Sequence, residues 1–151
     1  MKFVKLDEKM LNGKHLVYHA TYHGDLILEQ DRLLGKTRCV INGISRLGFS
    51  VTRDFRFAKA FCPVVFGLNR DKLRNRFLIK PFADSTIGID ADIPGDHRRE
   101  AEEFVVAQEI KLSDYLEGIW ANTEQLLNKE DEEFLLDLEK HPLFMGWFDP
   151  I

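Results

Sequence analysis

Apolar and polar positions along this chain group into short runs of period two and period 3.6, which predicts a mixture of strands and short helices. Residues 15–21, with Val17, Tyr18 and Thr21, read as a strand, and 24–34, with Leu26, Ile27, Leu33 and Leu34 near helical spacing, as a short helix. The polar stretch 35–47 reads mostly as a loop, long enough to act as a lid over a ligand. Residues 49–52 form a strand, and Asp54 then caps a helix running through Cys62 with Phe57, Ala58 and Phe61 on one face. A strong strand over 64–68, a turn at Asp71 and a strand over 76–81 follow, then an irregular stretch 83–99 broken at Pro94-Gly95. Beyond it lie a strand over 102–110, a short helix capped by Ser113 with Tyr115, Leu116 and Ile119, and a helix over 129–140 capped by Asn128. The stripe of that last helix is Phe134, Leu135 and Leu138. The tail 142–148 is too apolar to be left in water and is expected to dock on its own domain. The pattern is that of one α+β domain over 1–151, without repeats or linkers.

Composition narrows the class. At 151 residues the chain is long enough for one real core and short for two. No window approaches the roughly 18 apolar residues of a membrane span, and the first residues lack the apolar stretch of a signal peptide. Cys39 and Cys62 have neither a disulfide framework nor metal-ligand spacing, so reduced thiols in a cytoplasmic protein are expected. Net charge is only −4 but is segregated: residues 31–80 carry twelve Lys or Arg against three Asp or Glu, and 81–151 carry five against eighteen. The basic centre fits a solvated surface or a site for an anion, a dinucleotide or a nucleic-acid backbone.

Three segments place polar side chains where a purely structural strand would not: Val17-Tyr18-His19-Ala20-Thr21, Gly48-Phe49-Ser50-Val51-Thr52-Arg53-Asp54, and Glu100-Ala101-Glu102-Glu103-Phe104-Val105-Val106. A buried unpaired polar group costs about 1–3 kcal/mol, so these residues are expected to face a cleft. Glu102 and Glu103 point to opposite faces of a strand, and Glu103 stands at the mouth of the apolar run that follows. Other chemistries fit less well. His15, His19 and His23 have the spacing of helical metal ligands, but their surroundings favour a strand. There is no phosphate-binding loop or Rossmann glycine pattern, and Ser50 lacks the second glycine of a nucleophile elbow. Cys62 falls on an apolar helix end and reads as structural.

A strand with His-x-Thr, a middle strand with Ser-x-Thr followed by an aromatic helix, and a late strand opened by Glu resemble the ADP-ribosyltransferase fold. The likeness is nearest to the branch of DNA-modifying, DarT-type toxins and small phage-encoded relatives. It covers about residues 15–117, leaving 118–151 as a C-terminal helical extension. The resemblance implies an α+β domain with a split mixed sheet and flanking helices, and NAD as co-substrate without a metal. His19 would bond the adenosine ribose, Ala20 and Thr21 the nicotinamide amide, and Ser50 and Thr52 the nicotinamide ribose. Phe61 would stack on the nicotinamide, with small Ala58 leaving room. Arg53 would pair with a phosphate or orient the glutamate, and Glu103 would be the catalytic carboxylate.

Physics supports that last role. Cleaving the nicotinamide–ribose bond develops an oxocarbenium-like cation, as in glycoside hydrolysis. A carboxylate about 4 Å away at an effective dielectric near 20 attracts it by roughly 4 kcal/mol. Arginine-modifying members carry Glu-x-Glu, whereas Ala101 stands two before Glu103, and this favours a nucleic-acid acceptor over a protein arginine. Arg38, Arg46 and Arg70 serve a pyrophosphate or simple solubility equally well. The function expected is thus a cytoplasmic transferase that attaches ADP-ribose to a macromolecule, associated with a phage or a toxin. The alternative is an inert domain of the same fold whose acidic C-terminal helix and aromatic tail bind a host protein or nucleic acid. A glycohydrolase or an RNA 2′-phosphotransferase ranks below both.

Overall fold

The computed structural model describes residues 16–53, 55–59, 62–81, 102–122 and 132–148. In chain order the elements are β1 (Leu16–Thr21), α1 (Gly24–Gln30), β2 (Arg32–Leu34), β3 (Thr37–Ile41), β4 (Ile44–Thr52) and α2 (Phe55–Lys59). There follow β5 (Val64–Asn69), α3 (Arg70–Arg76), β6 (Leu78–Pro81), β7 (Glu102–Val106), β8 (Glu109–Lys111) and a 3-10 turn, Leu112–Asp114. The chain closes with β9 (Leu116–Asn122), α4 (Glu132–Lys140) and β10 (Phe144–Phe148). One mixed sheet runs β10-β9-β5-β1-β4-β7-β6, with β3 paired to β4 off this path; β2 and β8 form a separate two-stranded ribbon. The β9–β10 pair is parallel and the other pairs are antiparallel. The α+β class expected from the sequence is the class observed.

Alternation along the strands sends successive residues into two separate cores. Val17, Phe49, Val51, Phe66, Leu68 and Val105 enter one face, where Leu73, Ile110, Leu112 and Tyr115 cover them. Tyr18, Val65 and Trp120 enter the other, under Phe55 and Ala58 of α2 and Phe148 of β10. The smaller core is aromatic: Phe55 sits edge-on to Tyr18, Trp120 and Phe148, with centroids 5.3, 5.1 and 5.9 Å apart. Such edge-to-face pairs add about 0.5–1.5 kcal/mol beyond area burial. The Trp120 ring lies over the cross-strand pair Gly67–Gly118, where a Cβ on either glycine would come within 2.8 Å of it. Those glycines are therefore the floor under the ring. Among the described residues the buried Trp120 Nε1–H finds no acceptor, at a cost of about 1–3 kcal/mol that the ring's packing must exceed.

Among the described residues β1 and β4 register at a single pair, Tyr18 with Thr52. On its other edge β1 keeps register with β5 from Leu16↔Asn69 to Thr21↔Val64. The sheet is thus split between β1 and β4.

Several elements differ from those the sequence pattern predicts. The stretch 35–47 is no lid-like loop: β3 and β4 close a hairpin at Asn42-Gly43, with φ of 52° and 78°, the left-handed pair that an Asn-Gly turn adopts. The helix expected over 24–34 ends at Gln30, because Asp31 turns left-handed (φ 53°) and releases Leu33 into β2. Ser113 caps no helix. Its N–H and hydroxyl donate to the Asp31 carboxylate at 2.7 and 2.6 Å, and the apolar run after it is β9. Asp71 lies not in a turn but in α3, whose N-cap Asn69 accepts from the Lys72 N–H at 3.0 Å. The strand expected over 102–110 breaks at Ala107-Gln108, where Gly35 N–H donates to the Gln108 carbonyl at 2.8 Å. The extension 118–151 is not simply helical: its tail is β10, docked on its own domain beside β9. Helix α2 is described only to Lys59, and Asp54, Phe61, 83–99, Asn128 and His15 lie outside the described residues. Among the described residues no helix is long and apolar enough to cross a membrane.

Gly48 lets β7 approach β4. A Cβ there would lie 2.0 Å from the Val105 carbonyl oxygen and 2.8 Å from the Phe104 ring. The substitution Gly48→Ala must push two central strands apart and is expected to cost about 1–3 kcal/mol, read as a lower denaturation midpoint at unchanged slope.

Candidate functional site

The most heavily charged buried point of the described fold is Glu103. Its residue is 2% exposed, and β7 places it opposite Val51 of β4 on the face of the larger core. Two guanidiniums hold the carboxylate. Arg70 donates from Nε to Oε1 at 3.0 Å and from Nη2 to Oε2 at 2.8 Å, a two-pronged grip. Arg53 donates from Nε to Oε1 at 2.6 Å. The alternation explains how three distant segments meet. Arg53 continues the parity of Val51 beyond β4, Arg70 continues that of Leu68 beyond β5, and the order of pairing brings both to the Glu103 end of β7. The Arg70 side chain is 15% exposed, whereas that of Arg53 is 51% exposed.

Burial by itself would push the Glu103 carboxyl up; the hydrogen bonds and charges of Arg70 and Arg53 outweigh it and hold the carboxyl below its ordinary value. Glu103 is therefore ionised at neutral pH. The Asp71 carboxylate also acts on Arg70, so two negative and two positive groups meet here.

His19 lies on the same face. From the pair Tyr18–Thr52, one step along β1 and one step back along β4 put His19 level with Val51, and Val51 is level with Glu103. The two side chains therefore lie on one sheet face, to either side of Val51. The half-buried imidazole bonds Nδ1 to the Ser50 carbonyl oxygen at 2.8 Å across the split and stacks edge-on to Phe49 at 5.5 Å. A carbonyl only accepts, so Nδ1 carries the proton and Nε2 of the neutral ring keeps a lone pair. Burial lowers the His19 pKa, against the opposing effect of that hydrogen bond, so the neutral form prevails at pH 7.

The other residues singled out in the sequence are placed differently. Ser50 and Thr52 share a face with Tyr18 and Phe104, opposite to His19 and Glu103, so Ser50 serves the row through its main-chain carbonyl. The buried Thr21 hydroxyl accepts from the His23 N–H at 2.9 Å, which closes the turn into α1. Ala20 packs at the margin of the aromatic core, Ala58 is buried within that core, and Phe61 lies outside the described residues. Burial raises the Cys62 thiol to about 11, which leaves it inert as a nucleophile. Among the described residues no three His, Cys, Asp or Glu side chains group as metal ligands. The residue that sequence reasoning undervalued is Arg70. Its signal was faint: a cation immediately after a strand of nearly unbroken apolar residues, at the parity of that strand's core face.

Comparison with protein-family models, with curated proteins and with solved structures finds no match in any of the three. The residues themselves therefore carry the functional argument.

The two arginines are expected to differ in weight. Arg53→Ala removes a half-exposed partner and should cost at most about 1 kcal/mol in denaturant unfolding. Arg70→Ala leaves Oε2 of a buried carboxylate without its guanidinium partner and should cost about 2–4 kcal/mol. Stability should also decline with acid in two stages. Below pH about 6.5 the unfolded state takes up a proton that folded His19 resists, and His19→Gln removes this stage. Below pH about 4.5 the unfolded chain begins to protonate Glu103, and its contribution is lost as pH falls through the lowered folded value; thermal melts against pH resolve both.

Proposed function

We propose that this chain is an NAD-dependent ADP-ribosyltransferase with Glu103 as its catalytic carboxylate. The observation that supports this reading is the row His19–Val51–Glu103, on one face at the split between β1 and β4, with Arg53 and Arg70 at its end. The Nε2 lone pair of His19 is an acceptor for a ribose hydroxyl. The half-exposed Arg53 guanidinium at the other end suits a diphosphate. Ser50 and Thr52 do not share that face, so their side chains drop out of the ribose contacts that the family resemblance implies.

The clamp also changes the picture of a lone carboxylate facing a cation. A carboxylate already paired with two guanidiniums does not attract an oxocarbenium ion, because its charge is already neutralised. Catalysis on this reading requires a partner to leave. Arg53 is suited to this: it holds Glu103 through Nε alone and is half exposed, so a bound diphosphate competes for it. Arg70 keeps its two-pronged grip and sets the carboxylate's position. Nicotinamide then departs with the bonding electrons of the C1′–N bond. An acceptor nucleophile bonds C1′, and its proton passes to Glu103 or to water.

One observation favours the second reading, an inert binding domain. Both Glu103 oxygens are engaged and the residue is 2% exposed, as in a purely structural ion triad.

The deciding experiment follows NAD loss and labelled ADP-ribose with DNA, RNA and lysate as acceptors, for wild type and Glu103→Gln. Turnover by wild type with a labelled acceptor, lost in the variant, is the expected result. NAD loss without label on any acceptor identifies a glycohydrolase. No turnover, together with no heat of NAD binding, leaves the binding-domain reading.

A further inference from the structure

Arg70 holds both Glu103 oxygens from the first position of α3, so its aim depends on where that helix starts. A helix start is a weak point. Its first N–H groups have no partner within the helix, and seven residues carry little helical stability of their own. Three hydrogen bonds hold this start, and all of them run through Asn69. The Asn69 backbone is still extended, with φ −71° and ψ 107°, and its Oδ1 accepts from the Lys72 N–H at 3.0 Å. That bond caps the helix. The Asn69 N–H donates to the Tyr115 carbonyl at 2.8 Å, and its Nδ2 donates to Oε1 of Glu117 at 3.0 Å.

The Glu117 contact has its own origin in the sheet. Gly67 pairs with Gly118 but Leu68 pairs with Leu116, so Glu117 is an extra residue on β9. A bulge of this kind re-aims a side chain, and this one delivers a carboxylate to the last residue of β5. The choice of asparagine fits both duties. Aspartate caps a helix equally well, but its ionised carboxylate has no N–H to donate and would face the carboxylate of Glu117. A cap alone orders the first turn of α3; the bond to the bulge also fixes that turn against the neighbouring strand.

We propose that Asn69 is a positioning residue, which caps α3 and ties it to β9 and so keeps Arg70 in its two-pronged grip on Glu103. Asn69 acts through Arg70, and Arg70 sets the direction of the carboxylate. This supplies the fixed partner that the proposed mechanism needs: when a diphosphate draws Arg53 away, Arg70 stays because its helix start is anchored. The inference rests on that reading only for its consequence in catalysis. The positioning role itself is tested without NAD.

The test is an NMR titration of the Glu103 side-chain carboxyl in the full chain, for wild type, Asn69→Ala and Asn69→Ser. Asn69→Ala removes the cap and the tie, so the grip of Arg70 loosens and the Glu103 midpoint rises from its lowered value toward that of an ordinary carboxylate. Arg53 and Arg70, which act on Glu103, and Asp71, which acts on Arg70, are present in all three chains, so the shift reports position. Asn69→Ser restores a capping oxygen and should return the midpoint most of the way to wild type. Asn75→Gly weakens α3 at an exposed site away from the cap; it should lower the melting temperature and leave the midpoint in place. In wild type the Lys72 amide should exchange slowly with solvent, a reading that needs no variant to fold. An unmoved midpoint in Asn69→Ala, a serine variant no better than alanine, or a fast-exchanging Lys72 amide overturns the proposal. If wild type consumes no NAD, the proposed function falls, while the midpoint series still decides the positioning role.

Discussion

The triad Arg53–Glu103–Arg70 is the constraint on which the described architecture turns. It ties segments that follow β4 and β5 to the start of β7, beside the place where β1 and β4 separate. A sheet that splits between neighbouring strands loses ladder hydrogen bonds there and needs ties from elsewhere. The Arg70–Glu103 pair supplies one tie, reaching from the end of β5 past β1 and β4 to β7, and the His19–Ser50 bond supplies a second. Removing the carboxylate would leave two cations facing each other, one of them largely buried, which is why a triad of this kind is costly to break at its centre.

Around that edge the two cores have different tasks. The larger one covers the face that carries His19 and Glu103 and gives the row a rigid backing in Phe49, Val51 and Val105. The smaller, aromatic one locks α2 and β10 against the other face, with the Trp120 ring seated on the Gly67–Gly118 floor. The buried charge is thereby confined to one face and one edge. The basic β3–β4 hairpin lies toward the far end of β4.

Some of this was legible in the chain. Val17 to Thr21 and Val64 to Leu68 announce strands by their β-branched and aromatic residues, and the apolar tail announced docking on its own domain. The hairpin was equally legible through Asn42-Gly43 between alternating residues, but the surrounding lysines and arginines made the segment look like a loop. Other signals were ambiguous in one dimension. Leu116-Glu117-Gly118-Ile119-Trp120 suits a helix or a strand until β5 supplies a partner, and Asp31 ends α1 where Ser113, far along the chain, bonds its carboxylate.

The sequence by itself determined the α+β class, the segregation of charge and the polar residues that interrupt apolar strands, because these depend on residue type and local period. Tertiary structure alone decided which of those residues meet. The strand parity of β4 turns Ser50 and Thr52 away from Glu103, while the order of strands brings Arg70 from β5 across to it. The physical reason is that a side chain's face is set by its strand's period of two, but the company on that face is set by which strands pair.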